Sequence, residues 1–180
     1  FCLNNCTPMP DTVYCFSQGT NASEEWIANL SLGNFSNSSG QENYSDFTAI
    51  GPTVSPGQSY AISLSPGYSG SAFPEYFTVW IDYNQDFDFD DAGEEVFTAG
   101  PVTGTVNGNI TIPADAPFGS TRLRVAMKYD ASSTSCEQFV FGEVEDYSIS
   151  IQTNPCDPDT EAPQANCQNQ TLCLDAQGAA

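Results

Sequence analysis

The chain has 180 residues, enough for one domain of about 100–150 residues plus a tail or the start of another. Three Lys and Arg residues against 23 Asp and Glu residues give a net charge of −20. Such a charge argues against binding to nucleic acid or an anionic membrane surface, and it favours divalent cations or a basic partner. No apolar run approaches the roughly 20 residues of a membrane-spanning helix.

Several segments alternate polar and apolar residues with period two, which is typical of half-buried β-strands. In chain order they are 28–32, 60–64, 77–81, 103–112, 123–129 and 144–151. Gly, Pro, Asn and Ser separate them, and no helical period persists beyond about one turn. The pattern predicts an all-β fold, an antiparallel β-sandwich or jelly-roll-like domain.

The acidic run that follows segment 77–81 is the most informative stretch. It begins Asp-x-Asn-x-Asp, which matches the opening of a calcium loop in which alternate residues curl round one ion. Ca²⁺ accepts about 6–8 oxygen ligands. The sequence therefore predicts a calcium site, the ligands being Asp82, Asn84, Asp86, Asp88, Asp90 and Asp91 or Glu94. The alternative is a solvated acidic loop without an ion.

Phenylalanine interrupts this loop at two positions. Calcium loops usually have Gly at the sixth position, where this chain has Phe87, and a bulky residue at positive φ is costly. Because Phe87 and Phe89 alternate with the acids, we expect both rings to pack inward while the carboxylates turn to the ion.

The three basic residues, Arg122, Arg124 and Lys128, all fall at even positions of segment 121–129 and therefore share a face. Glu143 and Glu145 share a face in the next predicted strand. The economical interpretation is structural ion pairing of Arg122 and Arg124 with Glu143 and Glu145 across the two strands. The alternative is a second cation held by Glu143, Glu145 or Asp146 together with Asp46.

Seven cysteines without any histidine indicate disulfides rather than a zinc site or a Cys–His nucleophile, and hence an oxidising, extracellular compartment. The spacing suggests Cys2 with Cys6, Cys15 with Cys136, and Cys167 or Cys173 with a cysteine downstream. We predict the Cys15–Cys136 disulfide, because both residues flank strand-rich segments and the closed loop would span most of the fold. Asn-x-Ser/Thr sequons begin at Asn5, Asn21, Asn29, Asn34, Asn37, Asn43, Asn109 and Asn169, and would be glycosylation acceptors in a eukaryotic secreted protein.

A Pro- and Asp-containing stretch divides the chain. We predict an N-terminal linker or the end of a preceding domain at 1–13, a β-sandwich at 14–152, a linker at 153–164 and the start of a second β domain at 165–180. The last segment is too short to fold alone, so we expect a longer parent chain.

Several motifs stand in one order along the chain. They are Trp80-Ile-Asp-Tyr-Asn-Gln-Asp86, Thr121-Arg-Leu-Arg-Val-Ala-Met-Lys-Tyr129, Cys136-Glu137 and Gly142-Glu-Val-Glu-Asp-Tyr147, preceded by Tyr14-Cys15, Glu25-Trp26-Ile27 and Tyr44-Ser-Asp-Phe-Thr48. Together they resemble the GEVED domain of secreted and cell-surface bacterial proteins over roughly residues 14–151. The segment 165–180 resembles the start of a HYR-type immunoglobulin-like repeat, and Asp11-Thr12-Val13 resembles a short O-glycosylation motif of Bacteroidetes.

The resemblance implies one module of a large multidomain surface or secreted protein, often from Bacteroidetes. Without histidine the chain has no Ser-His-Asp set, no Cys-His pair and no imidazole zinc site, so we expect no enzyme. We expect a calcium-stabilised extracellular module in adhesion or surface and fibre architecture, with other domains of its chain or neighbouring surface proteins as partners. The alternative is a carbohydrate-binding or accessory domain of a secreted hydrolase or protease, with Tyr68, Phe73 or Tyr76 as the sugar platform.

Overall fold

A computed structural model describes residues 13–153, which form two packed β-sheets. The strands are β1 (Gln18–Asn21), β2 (Glu25–Leu32), β3 (Phe35–Ser38), β4 (Tyr44–Phe47), β5 (Thr53–Val54), β6 (Ser59–Tyr68), β7 (Glu75–Ile81), β8 (Glu95–Val102), β9 (Val106–Thr111), β10 (Gly119–Tyr129) and β11 (Gln138–Ile151). The larger sheet has the order β1-β11-β10-β7-β8, with β4 and β5 also paired to β11, and the smaller sheet has the order β3-β2-β6-β9. The predicted all-β sandwich is confirmed.

Strand β11 organises the larger sheet because it is 14 residues long. On one side it pairs antiparallel with β10. Along its other side β1, β4 and β5 follow one another, each parallel to it. The larger sheet is therefore mixed, whereas the sequence pattern predicted an antiparallel sandwich. The parallel strands β1, β4 and β5 were missed because each is too short to show a recognisable alternation of polar and apolar residues.

The main core fills the space between the two sheets. Leu30 and Leu64 of the smaller sheet belong to one buried cluster with Phe77, Val125 and Tyr147 of the larger one, and all five are fully buried. These positions obey the period-two alternation from which the strands were predicted.

A second apolar cluster covers the outer face of the larger sheet. Ala126 follows Val125 in β10 and so points to the opposite face, where it packs with Trp80, Phe89 and Val144. Tyr14, from the segment before β1, packs against this cluster. The acidic loop and the N-terminal segment thus lie together on the outer face.

Some predictions lie outside the described residues. They are the Cys2–Cys6 pairing, a partner for Cys167 or Cys173, glycosylation at Asn5, Thr12 or Asn169, most of the linkers at 1–13 and 153–164, and the repeat at 165–180.

Candidate metal centre

The acidic loop joins β7 to β8 and is anchored by Asp82. This residue is fully buried, and its side chain accepts hydrogen bonds at both oxygens. Oδ1 accepts from the backbone N–H of Gln85 at 2.6 Å, and Oδ2 accepts from the Tyr14 hydroxyl at 2.5 Å and from the backbone N–H of Phe87 at 3.2 Å. The buried Asp82 side chain therefore fixes the backbone of the loop through hydrogen bonds.

Two non-glycine residues of the loop adopt the left-handed backbone region. Gln85 has φ of 65° and Phe87 has φ of 76°. The strain anticipated at Phe87 is thus present, and both strained residues donate their N–H groups to Asp82. These charge-assisted bonds offset part of the conformational cost.

The two phenylalanine rings behave differently. Phe89 is 4% exposed and stacks on Tyr14 with ring centroids 5.2 Å apart, as expected for an inward ring. Phe87 is 38% exposed and lies against the same tyrosine at 5.5 Å, so the expectation that both rings pack inward was wrong for Phe87. Its positive φ turns the chain back at that point.

A series of hydrogen bonds between side chains and backbone N–H groups two residues further along the chain shapes the rest of the loop. Asn84 Oδ1 accepts from the N–H of Asp86 at 3.2 Å, Asp86 Oδ1 from that of Asp88 at 3.3 Å, and Asp88 Oδ1 from that of Asp90 at 2.9 Å. Each bond spans two residues, which is the Asx-turn habit of Asn and Asp. Successive turns curl the alternating side chains toward one side.

Three carboxylates converge as a result. Asp86, Asp88 and Asp91 each offer an oxygen within 4.8 Å of the other two, and this group, the aspartate triad, can hold a metal ion. The Asn84 amide nitrogen donates to Asp86 Oδ2 at 2.9 Å and to Asp91 Oδ2 at 2.5 Å. Carboxylate oxygens are ligands that hard divalent cations prefer.

The other predicted ligands lie outside the triad. Asp82 is committed to the loop backbone, and Asp90 is exposed. Glu94 is 2% exposed, and its Oε1 accepts from the N–H of Tyr83 at 2.8 Å. Its Oε2 is buried without a hydrogen-bond partner among the described residues, and burial raises the pKa of Glu94 to about 7.

The two arginines pair with Asp146, and the predicted pairing with Glu143 and Glu145 was wrong. Arg124 binds Asp146 through Nε at 2.7 Å and Nη2 at 2.8 Å, and Arg122 Nη1 binds the same carboxylate at 2.7 Å. The register explains this correction, because β10 places Arg124 directly opposite Asp146. Residues opposite each other in an antiparallel pair share a face.

Glu143 and Glu145 point instead into the core between the sheets. Glu143 accepts from the Ser45 hydroxyl at 2.8 Å and the Ile27 N–H at 2.9 Å. Glu145 accepts from the Ser39 hydroxyl at 2.6 Å and the Tyr147 hydroxyl at 2.8 Å. Burial raises the pKa of Glu143 to about 8 and that of Glu145 to about 7.

The alternative of a second cation beside Asp46 gains no support. Asp146 is occupied by the two arginines and by the Tyr44 hydroxyl at 3.0 Å. Asp46 is exposed and accepts from the Thr48 N–H at 2.9 Å, and hydrogen bonding from the Thr48 side chain and backbone lowers the pKa of Asp46.

The predicted disulfide between Cys15 and Cys136 is confirmed. It ties the segment before β1 to the segment before β11, 121 residues apart. Arg124 Nη1 donates to the Cys15 carbonyl at 2.9 Å and to the Ser135 carbonyl at 2.8 Å. The buried arginine therefore binds both of the segments that the disulfide joins.

Sequence reasoning missed two residues that support this region. Tyr14 joins the loop to the outer face through its hydroxyl bond to Asp82 and its stacking on Phe89. Asp146 was considered only as a cation ligand. Asp146 and Arg124 both have even residue numbers, but this does not show that they lie opposite each other until the register between β10 and β11 is known.

One family model matches part of the chain. Residues 76–150 match the GEVED domain. The predicted resemblance is confirmed for this segment, which contains the aspartate triad, both arginines and Asp146. The GEVED match begins in β7 and ends in β11, so β1 to β6 lie outside it.

Solved structures give only distant likenesses, and no curated protein gives a significant match. A Niemann-Pick type C2 protein from the Japanese carpenter ant has 7% identity and a TM-score of 0.42, covering 73% of this chain and 96% of that one. The CARDB domain of a Pyrococcus furiosus protein, in complex with di-metal ions, has 9% identity and a TM-score of 0.35 over 75% and 100%. A family 123 glycoside hydrolase from Clostridium perfringens has 12% identity and a TM-score of 0.36 over 62% and 23%.

Two further observations bear on location and glycan binding. Among residues 13–153 no helix has the length and apolar character needed to cross a membrane. Tyr68, Phe73 and Tyr76 are half-buried, and the Tyr68 hydroxyl donates to the Phe73 carbonyl at 3.0 Å. None of the three rings is therefore fully exposed.

Proposed function

We propose that this chain is a non-catalytic, calcium-stabilised extracellular module of a multidomain surface or secreted protein. The observation that carries the proposal is the aspartate triad, in which Asp86, Asp88 and Asp91 bring carboxylate oxygens within 4.8 Å of one another. Like charges at this distance repel, and a cation between them converts repulsion into stability.

The donor set favours Ca²⁺ over other metals. Carboxylate oxygens suit hard cations, and the flexible shell of Ca²⁺ tolerates a curled exposed loop with water completing the coordination. Mg²⁺ needs tight octahedral geometry and keeps its own water. The side-chain cations of the chain are engaged elsewhere, since Arg122 and Arg124 bind Asp146 and Lys128 binds Glu137.

The rest of the molecule fits a structural role outside the cell. The disulfide belongs to an oxidising compartment, and the absence of histidine from the chain removes the usual general bases. Glu143 and Glu145 have raised pKa values, but their carboxyl groups are bonded within the core. A rigid, acidic sandwich of this kind suits adhesion or surface architecture, with other domains of its chain or neighbouring surface proteins as partners.

Thermal unfolding with and without chelator tests the proposal. We expect chelation to lower the melting temperature, added Ca²⁺ to restore it and added Mg²⁺ to restore little. Asp86→Asn removes a charge from the triad and should abolish the calcium response. Asp90→Asn removes an exposed charge from the same loop outside the triad and is the matched control. A melting temperature that ignores both chelator and Ca²⁺ would rule the proposal out.

A further inference from the structure

A second acidic site lies in a cavity of about 320 Å³, distinct from the calcium loop. It is lined by Asn21, Glu24, Glu25, Phe73, Tyr129 and Phe141. We propose that this cavity, the aromatic cage, binds an alkylammonium group such as the head of a small quaternary amine or the end of a lysine side chain. The inference is independent of calcium binding.

Aromatic rings form the walls of the cage. The ring of Tyr129 stands at 87° to that of Phe73 with centroids 6.0 Å apart, and at 89° to that of Phe141 with centroids 6.2 Å apart. Tyr129 and Phe141 are more than a third exposed, so their surfaces are open to a ligand. A cation within about 6 Å of such a ring centroid is attracted by the negative charge of the ring face.

Carboxylates form the acidic side of the cage. Glu25 lines the cavity yet is only 2% exposed, and no described residue donates a hydrogen bond to its carboxylate. Glu75 does not line the cavity but is influenced by the charge of Glu25. It is fully buried, and both of its carboxylate oxygens lack a hydrogen-bond partner among residues 13–153. A carboxylate in this condition is costly unless a cation or a proton accompanies it.

The chain supplies no side-chain cation for these acids. Its three basic residues are Arg122, Arg124 and Lys128, and they bind Asp146 and Glu137. Burial and the charge of Glu25 raise the pKa of Glu75 to about 8, which is the response of a carboxyl group that lacks a counterion.

An organic cation fits this lining better than a metal ion. Two of the three aromatic residues in the lining, Phe73 and Phe141, have no oxygen in their side chains, and the fully buried Glu75 does not line the cavity. The lining is therefore poor in the six or more oxygen ligands that a hard cation such as Ca²⁺ requires. An alkylammonium group uses both features, because its carbon atoms contact the rings while its charge faces Glu25.

The experiment is a titration of the calcium-saturated chain with choline and with 3,3-dimethylbutanol, which has the same shape without the charge. We expect saturable choline binding at millimolar concentration and none of the neutral analogue. Tyr129→Leu should weaken choline binding about tenfold, and Glu25→Gln should abolish it. Phe118→Leu and Asp115→Asn, at exposed positions that do not line the cage, should bind as the parent does.

Nα-acetyl-lysine methylamide and its Nα,Nε-diacetylated analogue, which lacks the amine charge, form the second arm. Binding of the lysine compound alone assigns the cage to a protein partner, and binding of choline alone assigns it to a small amine. The inference is overturned if neither cation binds, if the neutral analogues bind equally well, or if either Glu25→Gln or Tyr129→Leu binds the cation as tightly as the parent chain.

Discussion

At the residue scale, Asp82 shows that a carboxylate in a calcium-type sequence pattern can serve the protein backbone. Its oxygens accept from the N–H groups of Gln85 and Phe87, which are the two non-glycine loop residues with positive φ. In the triad, Asp86 and Asp88 each use one oxygen to accept an exposed backbone N–H bond, and all three members bring an oxygen within 4.8 Å of the others. The aspartates of this one motif thus have two roles: Asp82 supports the loop backbone, and the triad is the candidate set of metal ligands.

This division predicts opposite behaviour for two variants. Asp82→Asn should destabilise the domain by roughly 1–3 kcal/mol even in chelator, because the backbone N–H groups of Gln85 and Phe87 lose a charged acceptor that is itself buried. Asp88→Asn should destabilise only in calcium, since without the ion it removes repulsion. Melting temperatures of both variants in calcium and in chelator test this. Equal losses for the two in chelator would show that Asp88 also supports the fold.

Arg124 and Arg122 make a second residue-scale contrast. Arg124 is 2% exposed and holds Asp146 in a bidentate pair, whereas the side chain of Arg122 is 24% exposed. Arg124→Met leaves Asp146 buried without its main partner and should cost about 3–5 kcal/mol. Arg122→Met should cost clearly less, because solvent screens that pair. Urea unfolding compares the two variants, and an equal loss in both would contradict the contrast.

At the element scale, the register between β10 and β11 decides the environment of every acid on β11. Asp146 lies opposite Arg124 on the outer face, while Glu143 and Glu145 lie opposite Met127 and Val125 on the core face. The larger sheet therefore sends two carboxyl groups into the apolar interior. Serine hydroxyls and a backbone N–H receive them there.

The buried carboxyl groups predict that stability falls as pH rises. The folded-state pKa values of Glu143 and Glu145 are raised by burial to about 8 and about 7, above the ordinary value of 4.5. Their contribution is complete below the unfolded pKa and is lost as pH rises through the folded values. The free energy of unfolding at constant calcium should thus decrease between about pH 5 and about pH 8.

Glu143→Gln provides the control for this pH dependence, because the amide mimics the protonated carboxyl group. Urea unfolding of the variant should show a flatter dependence on pH than the parent chain. A parent stability that rises across this interval would contradict the assignment of buried, largely protonated acids.

The long alternating segments were predictable from sequence, since 28–32, 60–64, 77–81, 123–129 and 144–151 lie within β2, β6, β7, β10 and β11. The strands β1, β3, β4 and β5 were not, because they have two to four residues and depend on partners distant in the chain. The acidic loop was found from spacing alone. Its division into Asp82 and the triad needed the backbone turn at Phe87, which the spacing does not encode.

At the scale of the whole molecule, charge balance connects these sites. The net charge is −20, and the three basic side chains are all committed to Asp146 and Glu137. The remaining acids lie in three settings: the solvated surface, the core, where burial raises the pKa values of Glu143 and Glu145, and the aspartate triad and the cavity beside Glu25. For the triad and that cavity we propose external cations as the missing counterions.

Calorimetric titration with Ca²⁺ tests the central claim most directly, in the parent chain, in Asp88→Asn and in Asp90→Asn. We predict saturable binding at millimolar Ca²⁺ or below for the parent, retention of that binding in Asp90→Asn and its loss in Asp88→Asn. The triad is not a calcium site if the parent shows no binding at millimolar Ca²⁺, or if the two variants bind alike.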